Sequence, residues 1–190
     1  MKEKISNILK YNKIAYNLYY LIMGLIINFF KIFIKTDDHL IMFNSFAGRS
    51  FNDSPKAIFE YMSKDPRFSD YHFIWAFHEP NKYNVIGATK IKTDSINYFK
   101  KAIQARVWIT NSSVERGLSF KRNNTLYFNT WHGTPMKKMG IDLDEGNESF
   151  GRNTKMKFDV MLSQSSFETK IFSRCFNIPI DNFLDRKSVV

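Results

Sequence analysis

Cysteine is nearly absent from this chain: Cys175 is the single one among 190 residues. One thiol cannot close an internal disulfide, which fits a reducing compartment. It also removes the paired-cysteine spacing of zinc fingers and iron–sulfur sites. Glycine-rich phosphate fingerprints are missing too. There is no GxGxxG and no Walker-type lysine loop, so nucleotide binding is not visible by motif. Internal repeats and low-complexity tracts are absent. Negative charge is scarce: 18 Asp+Glu against 28 Lys+Arg leave a net +10. That excess calls for an anionic partner, whether nucleic acid, anionic lipid or a phosphorylated substrate.

What the chain does have is apolar bulk. It is 44% hydrophobic and 16% aromatic, with 19 Phe and 9 Tyr, enough to offset ordering entropy by burial. The length fits one domain, or one domain plus an appendage.

Residues 1–35 stand apart. They carry six lysines and one glutamate, a local +5, around a charge-free run of 17 residues from Ile14 to Phe30. That run is at the short end of what crosses a bilayer, roughly 17–25 residues, and Asn17, Gly24 and Asn28 dilute it. No small-residue cleavage site follows it. Three readings stay open: an amphipathic helix in the membrane interface with its lysines on anionic lipid, a single span, or a buried core helix with a basic overhang. The interfacial helix is the favoured expectation, which places the protein peripherally at a membrane surface.

From residue 37 onward, short apolar runs alternate with helical patterns. Strands are predicted at Leu40–Phe46, His72–Phe77, weakly at Val85-Ile86, and at Arg106–Thr110, Thr125–Thr130 and Phe158–Ser163. Helices are predicted after Asp53 or Ser54 as cap, from Asp94 to Gln104, and through Phe167, Ile171 and Phe172. The acidic loop from Gly140 to Arg152 reads as the most flexible segment. The alternation predicts βαβ units: an α/β fold with a Rossmann-like parallel sheet, flanking helices and an amphipathic helix in front.

Ligands of open parallel sheets gather at the carboxyl ends of the strands. Four unusual stretches fall there: Ser45–Ser50, Thr110–Ser113, Trp131–Thr134 and Ser163–Ser166. Imidazole is suited to taking a proton from an attacking hydroxyl at neutral pH, and His132 stands at a strand exit as a candidate general base. The plainer alternative is a turn histidine bonded to backbone. Gly133 permits close approach, while Lys137 and Lys138 can neutralise phosphate. Arg49, beside Gly48 and Ser50, can grip a phosphate in a bidentate manner. His39, His72 and His78 read as a linker residue, a strand start and a strand exit.

Two blocks carry a resemblance. Arg106-Val-Trp-Ile-Thr-Asn-Ser112 followed by Tyr127-Phe-Asn-Thr-Trp-His-Gly-Thr-Pro-Met-Lys-Lys-Met-Gly-Ile-Asp142 resembles the signature region of the CDP-glycerol glycerophosphotransferase family. These are teichoic acid and capsule polyol-phosphate transferases. Phe46–Met62 and Phe158–Phe172 resemble the flanking blocks, so the likeness runs from about Leu40 to Ile178.

The resemblance implies a GT-B-type fold of two Rossmann-like domains. The N-terminal one faces a lipid-linked acceptor and the C-terminal one holds the donor CDP-glycerol, with no further cofactor. It also implies association with the cytoplasmic face of the membrane and a motif histidine, here His132, as base. Arg49, Ser50, Asn111, Ser112, Trp131, Gly133, Thr134, Lys137 and Lys138 are then the candidate substrate-binding residues. The expected organisation is a membrane-associating segment at 1–36, an acceptor-side domain at 37–180, and the start of a donor domain at 181–190. A chain of this length holds one such domain, so it is expected to be an acceptor-side half without transferase activity alone. Two other readings are a non-catalytic membrane module for anionic polymer or lipid, and a nucleic-acid binder. The last has little support, because the lysines cluster at the apolar N-terminus instead of interleaving with aromatics.

Overall fold

The computed structural model describes residues 12–142 and 157–185. Residues 1–11 and most of the acidic loop, 143–152, lie outside them. Seven strands form one sheet: β1 (Asp37–Asn44), β2 (His72–Phe77), β3 (Thr89–Lys92), β4 (Ala105–Thr110), β5 (Leu126–Asn129), β6 (Val160–Ser163) and β7 (Phe183–Asp185). Their order is β3-β2-β1-β4-β5-β6-β7, and every neighbouring pair is parallel. The expected Rossmann-like α/β class is the one observed. The helices are α1 (Lys13–Phe33), α2 (Asp53–Met62), α3 (Ile96–Gln104) and α4 (Ser166–Phe176).

The central strand shows why the sheet is covered on both faces. In β1, Leu40 and Met42 join one buried layer with Ile74, Trp108 and Tyr127. Ile41 and Phe43 join the other with Phe59, Trp75 and Phe77. Continuous apolar runs without polar alternation are what a parallel sheet buried on both sides requires. Each such fully buried side chain contributes about 1.5–3 kcal/mol by leaving water.

The first layer is roofed by α1, α3 and α4, and the second by α2. Helix α1 is therefore partly built into the fold. Tyr20 and Met23 pack against the first layer, and Ile27 is buried in it. Its C-terminal end is tied down by Arg122, whose guanidinium donates to the carbonyls of Lys31 and Ile34. The opposite face is open: Ile14, Leu21, Leu25, Phe29, Ile32 and Phe33 are all more than half exposed. Among the described residues, no helix is long and apolar enough to cross a membrane.

Several expectations shift. The third strand is Thr89–Lys92, not Val85-Ile86, where Val85 is buried in a loop. Asn52 stands at the N-cap position of α2 without a side-chain capping bond, while Asp53 takes a left-handed φ of 61° at its first position. His39 lies within β1, edge-on to Tyr71. The sheet also continues past position 180, since Phe183–Asp185 pairs with β6 as its edge strand.

Candidate functional site

Strand register builds the site. Asn44 is paired with Thr110, and Thr110 with Asn129, so three polar side chains form one row across the carboxyl ends of β1, β4 and β5. All three are fully buried. They follow directly on the apolar row Met42, Trp108 and Tyr127, so the layer under α1 and α3 changes from hydrocarbon to hydrogen bonding within two residues. Thr110 Oγ1 donates to Asn44 Oδ1 at 3.1 Å, and Asn129 Nδ2 donates to the Ser112 carbonyl at 2.7 Å.

The next residues along the chain use this row as a base. Asn129 Oδ1 accepts from the backbone N–H of Trp131 at 2.7 Å, which supports the left-handed φ of 52° that Trp131 adopts. The turn throws the Trp131 indole against Phe172 and Phe176 of α4, and the His132 ring stacks on that indole at 4.5 Å between centroids. The Phe46 ring lies 5.5 Å from the His132 ring, tilted by 57°.

His132 is exposed, and its Nδ1 is 2.6 Å from the carbonyl oxygen of Asn111. A carbonyl only accepts, so Nδ1 carries the proton and the Nε2 lone pair is left available. The histidine is thus bonded to backbone and presented to solvent at once. Both sequence readings of it describe part of the geometry.

The other candidates divide into groups. Asn111 is fully buried and its side chain is committed within the fold. Oδ1 accepts from Phe46 N at 2.7 Å, and Nδ2 donates to Asp53 Oδ2 at 2.6 Å. What it offers the site is its carbonyl. Ser112 Oγ accepts from Ala47 N at 2.8 Å and donates to Asn44 Oδ1 at 3.2 Å. Thr134 Oγ1 donates to the buried carboxylate of Glu168 at 2.6 Å, whose second oxygen accepts from Gln164 N at 2.8 Å. Gly133, Lys137 and Lys138 are exposed.

Trp131, His132, Ser112 and Lys138 meet on the walls of a cleft of about 860 Å³. Arg49, Ser50, Asn111, Gly133, Thr134 and Lys137 are not among its lining residues. Arg49 is exposed, with its carbonyl accepting from Tyr83 Oη at 2.6 Å, and Ser50 Oγ donates to Asn52 Oδ1 at 2.9 Å.

Sequence reasoning missed the cleft's far wall. Tyr19, Tyr20 and Met23 of α1 form it together with the ion pair of Asp94 and Arg116, whose nitrogens and oxygens meet in a two-point fork at 2.9 Å. Burial, with Tyr20 and Asp94 nearby, holds the Tyr19 hydroxyl above its ordinary pKa. Asn44, Asn129 and Glu168 were also missed, although asparagines ending two strands are a readable signal for turn-building. Among the described residues, no group of three His, Cys, Asp or Glu side chains could hold a metal ion.

Residues 26–186 match the description CDP-Glycerol:Poly(glycerophosphate) glycerophosphotransferase. The chain belongs to that family. It is 30% identical over 211 aligned positions to a teichoic acid poly(glycerol phosphate) polymerase of Bacillus spizizenii, covering 99% of this chain and 51% of that protein. A teichoic acid glycerol-phosphate transferase of Staphylococcus aureus is 32% identical, covering 82% of this chain and 42% of that one. Solved structures of the wall teichoic acid polymerase TagF superpose over 93% of this chain with a TM-score of 0.72 at 28% identity, covering 47% of TagF. A histidine-substituted TagF soaked with CDPG gives 0.73 at 26%. The chain thus spans about half the length of these proteins, or less. The likeness confirms the GT-B-like α/β class expected from the resemblance.

Proposed function

We propose that this chain forms the acceptor-side part of a CDP-glycerol-dependent glycerophosphotransferase in teichoic acid or capsular polymer synthesis. A terminal hydroxyl of a lipid-linked acceptor attacks the glycerol-bearing phosphorus of CDP-glycerol. The new O–P bond forms as the bond to the CMP oxygen breaks, and CMP leaves. CDP-glycerol is a substrate in this reading, which needs no cofactor.

One observation carries it: the 2.6 Å contact between His132 Nδ1 and the Asn111 carbonyl. It fixes the tautomer and the ring plane, so that Nε2 can take the attacking hydroxyl's proton. A backbone or carboxylate partner on the far nitrogen is the usual way to orient such a base. Trp131 stacking holds the ring from one side. Lys138 on the cleft wall adds positive charge for a phosphate, with the exposed Lys137 next to it in the chain, and charge neutralisation with positioning is most of what phosphoryl transfer asks of a protein. Arg49 and Ser50 lie off the cleft and have a weaker claim to substrate. Peripheral attachment to the cytoplasmic membrane face is supported by the open apolar face of α1 and the lysines of residues 1–35.

The test joins residues 1–190 to the remaining half of the Bacillus spizizenii relative and measures CMP release with a lipid-linked acceptor. In an active chimera, His132→Ala is expected to lower the rate about 10²–10⁴-fold, the usual span for a general base. An unchanged rate removes His132 from the chemistry and leaves a membrane-associated module for anionic polymer or lipid. Because the chain covers about half of its relatives, residues 1–190 by themselves are expected to release no CMP. Flotation with anionic liposomes, before and after deleting residues 1–35, checks the attachment separately.

A further inference from the structure

One face of α4 is fitted to the segment that carries His132. The buried residues of that helix are Glu168, Phe172, Cys175 and Phe176, spaced i, i+4, i+7 and i+8 along a single stripe. Each of them touches the stretch from 131 to 142. Phe172 and Phe176 hold the Trp131 indole, Cys175 Sγ donates to Asp142 Oδ2 at 3.0 Å, and Glu168 Oε1 accepts from Thr134 Oγ1 at 2.6 Å.

Packing accounts for the two phenylalanines and the cysteine. It does not account for Glu168. That residue is 3% exposed, and among the described residues no ion pair includes it. A carboxylate buried without a cation is costly, and an apolar side chain would fill the same space at less cost. Its two oxygens have separate partners. Oε2 accepts from Gln164 N at 2.8 Å, just past the end of β6, while Oε1 reaches across to Thr134 in the motif turn. The first bond is local to α4 and its entry; the second is a hold on another segment.

Gly133 makes that hold matter. Its φ is 138°, and a Cβ there would meet nothing within 4 Å, so glycine serves the shape of the turn and no close contact. The residue beside the imidazole is therefore the freest to rotate. Upstream of it, Asn129 Oδ1 pins the Trp131 N–H at 2.7 Å. Downstream, the pin is Thr134 on Glu168. With both ends of so short a span held, the His132 backbone is fixed between them and Nδ1 meets the Asn111 carbonyl at 2.6 Å.

We propose that Glu168 is a positioning residue: through Thr134 it fixes the Gly133 turn and keeps the His132 ring on the Asn111 carbonyl, with Nε2 free for the attacking hydroxyl. The inference rests on the reading of His132 as general base. It also commits the Thr134 hydroxyl proton to Glu168 and not to substrate.

The chimera that tests His132 also tests this. Thr134→Val and Glu168→Leu should each lower kcat about 10–100-fold with KM little changed, the scale of a misplaced reacting group. The double variant should be no slower than the slower single one, because both cut the same link. Thr134→Ser keeps the hydroxyl. Glu168→Gln keeps a partner for it, since a hydroxyl can accept from an amide as well as donate to a carboxylate. Both should stay near the parental rate. In a His132→Ala background, Thr134→Val should change nothing further, whereas a merely structural role would lower the rate in either background.

Nitrogen NMR of isotope-labelled histidine in residues 1–190 gives a second readout that needs no transfer. The parent chain should show the His132 proton on Nδ1, and Thr134→Val and Glu168→Leu should both lose that preference. Far-UV circular dichroism establishes that each variant is folded. An unchanged kcat in Thr134→Val overturns the proposal, and so does an unchanged His132 tautomer. A loss in Thr134→Val that Glu168→Leu does not share also overturns it and makes Thr134 a substrate contact. If His132→Ala itself leaves the rate unchanged, the base reading fails, and the NMR result still decides separately whether Glu168 orients the ring.

Discussion

Replacing Asn111 with alanine should cost stability well before it touches chemistry. The side chain is fully buried and joins two segments far apart in sequence: Oδ1 accepts from Phe46 N at 2.7 Å and Nδ2 donates to Asp53 Oδ2 at 2.6 Å. Truncation strands the Phe46 N–H, a partly buried donor worth about 1–3 kcal/mol when left unmet. Asp53 is exposed and can be resolvated, so losing its charge-assisted bond adds only about 1 kcal/mol. The expected total is about 2–4 kcal/mol. For a chain of this size that lowers Tm by about 5–15 °C.

Urea and thermal unfolding of residues 1–190 measure it. A loss below about 0.5 kcal/mol, the level of an ordinary surface change, would refute the assignment of Asn111 as the pin between strand ends. Asn111→Asp sharpens the test. One oxygen still accepts from Phe46 N, while the other faces the Asp53 carboxylate. Two carboxylates so close share a proton, so the introduced carboxyl titrates above its unfolded value when the chain is folded. Its contribution is then fully present below the unfolded pKa and lost as pH rises through the folded one. The deficit against the parent should grow from pH 4 to pH 7.

Glu115 gives a second pH-dependent case. Burial raises its pKa, against the pull of bonds from Phe120 N and Lys121 N, so its stabilising contribution belongs to the protonated form and fades as pH rises. Glu115→Gln keeps the accepting oxygen and should flatten the urea midpoint between pH 4 and pH 7; an unchanged slope would contradict the assignment. Two glycines should respond with opposite sign. A Cβ at Gly140 would fall 2.0 Å from the Cys175 carbonyl oxygen at a φ of 56°, so Gly140→Ala should cost at least about 2 kcal/mol. Gly24 lies inside α1 with open space around it, and Gly24→Ala should stabilise by about 0.5–1 kcal/mol, both read from thermal midpoints.

Much of this architecture was legible because burial was legible. His72–Phe77 falls on β2 without adjustment, since five consecutive apolar residues can be satisfied only by cover on both faces. β3 was misplaced for the converse reason. Thr89-Lys-Ile-Lys92 is an edge strand with one buried side chain, Ile91, and flanking lysines of the kind that protect sheet edges, so no apolar run marks it. Helix α2 starts from Asn52, and no composition rule foretells that the Asn52 side chain also receives the hydroxyls of Ser45 and Ser50.

At the site, His132 was placed correctly at a strand exit by pattern alone. Its partner was not, because the Asn111 carbonyl comes from the exit of the neighbouring β4, 21 residues earlier. The role of α1 as a cleft wall was hidden for a similar reason. Its lysines and apolar face advertise the outer surface, while Tyr19, Tyr20 and Met23 face inward through contacts only the tertiary fold creates.

Because all seven strands run the same way, the loops fall into two classes with different tolerance for change. Those leaving the carboxyl ends carry His132, Arg116 and Asn111, whereas the connection from α2 into β2, with exposed Ser69 and Asp70, returns on the opposite rim. A peptide tag or fluorophore spliced in at that far rim rides on the same rigid sheet without crowding the cleft. It offers a place from which to watch the molecule work while leaving the working parts alone.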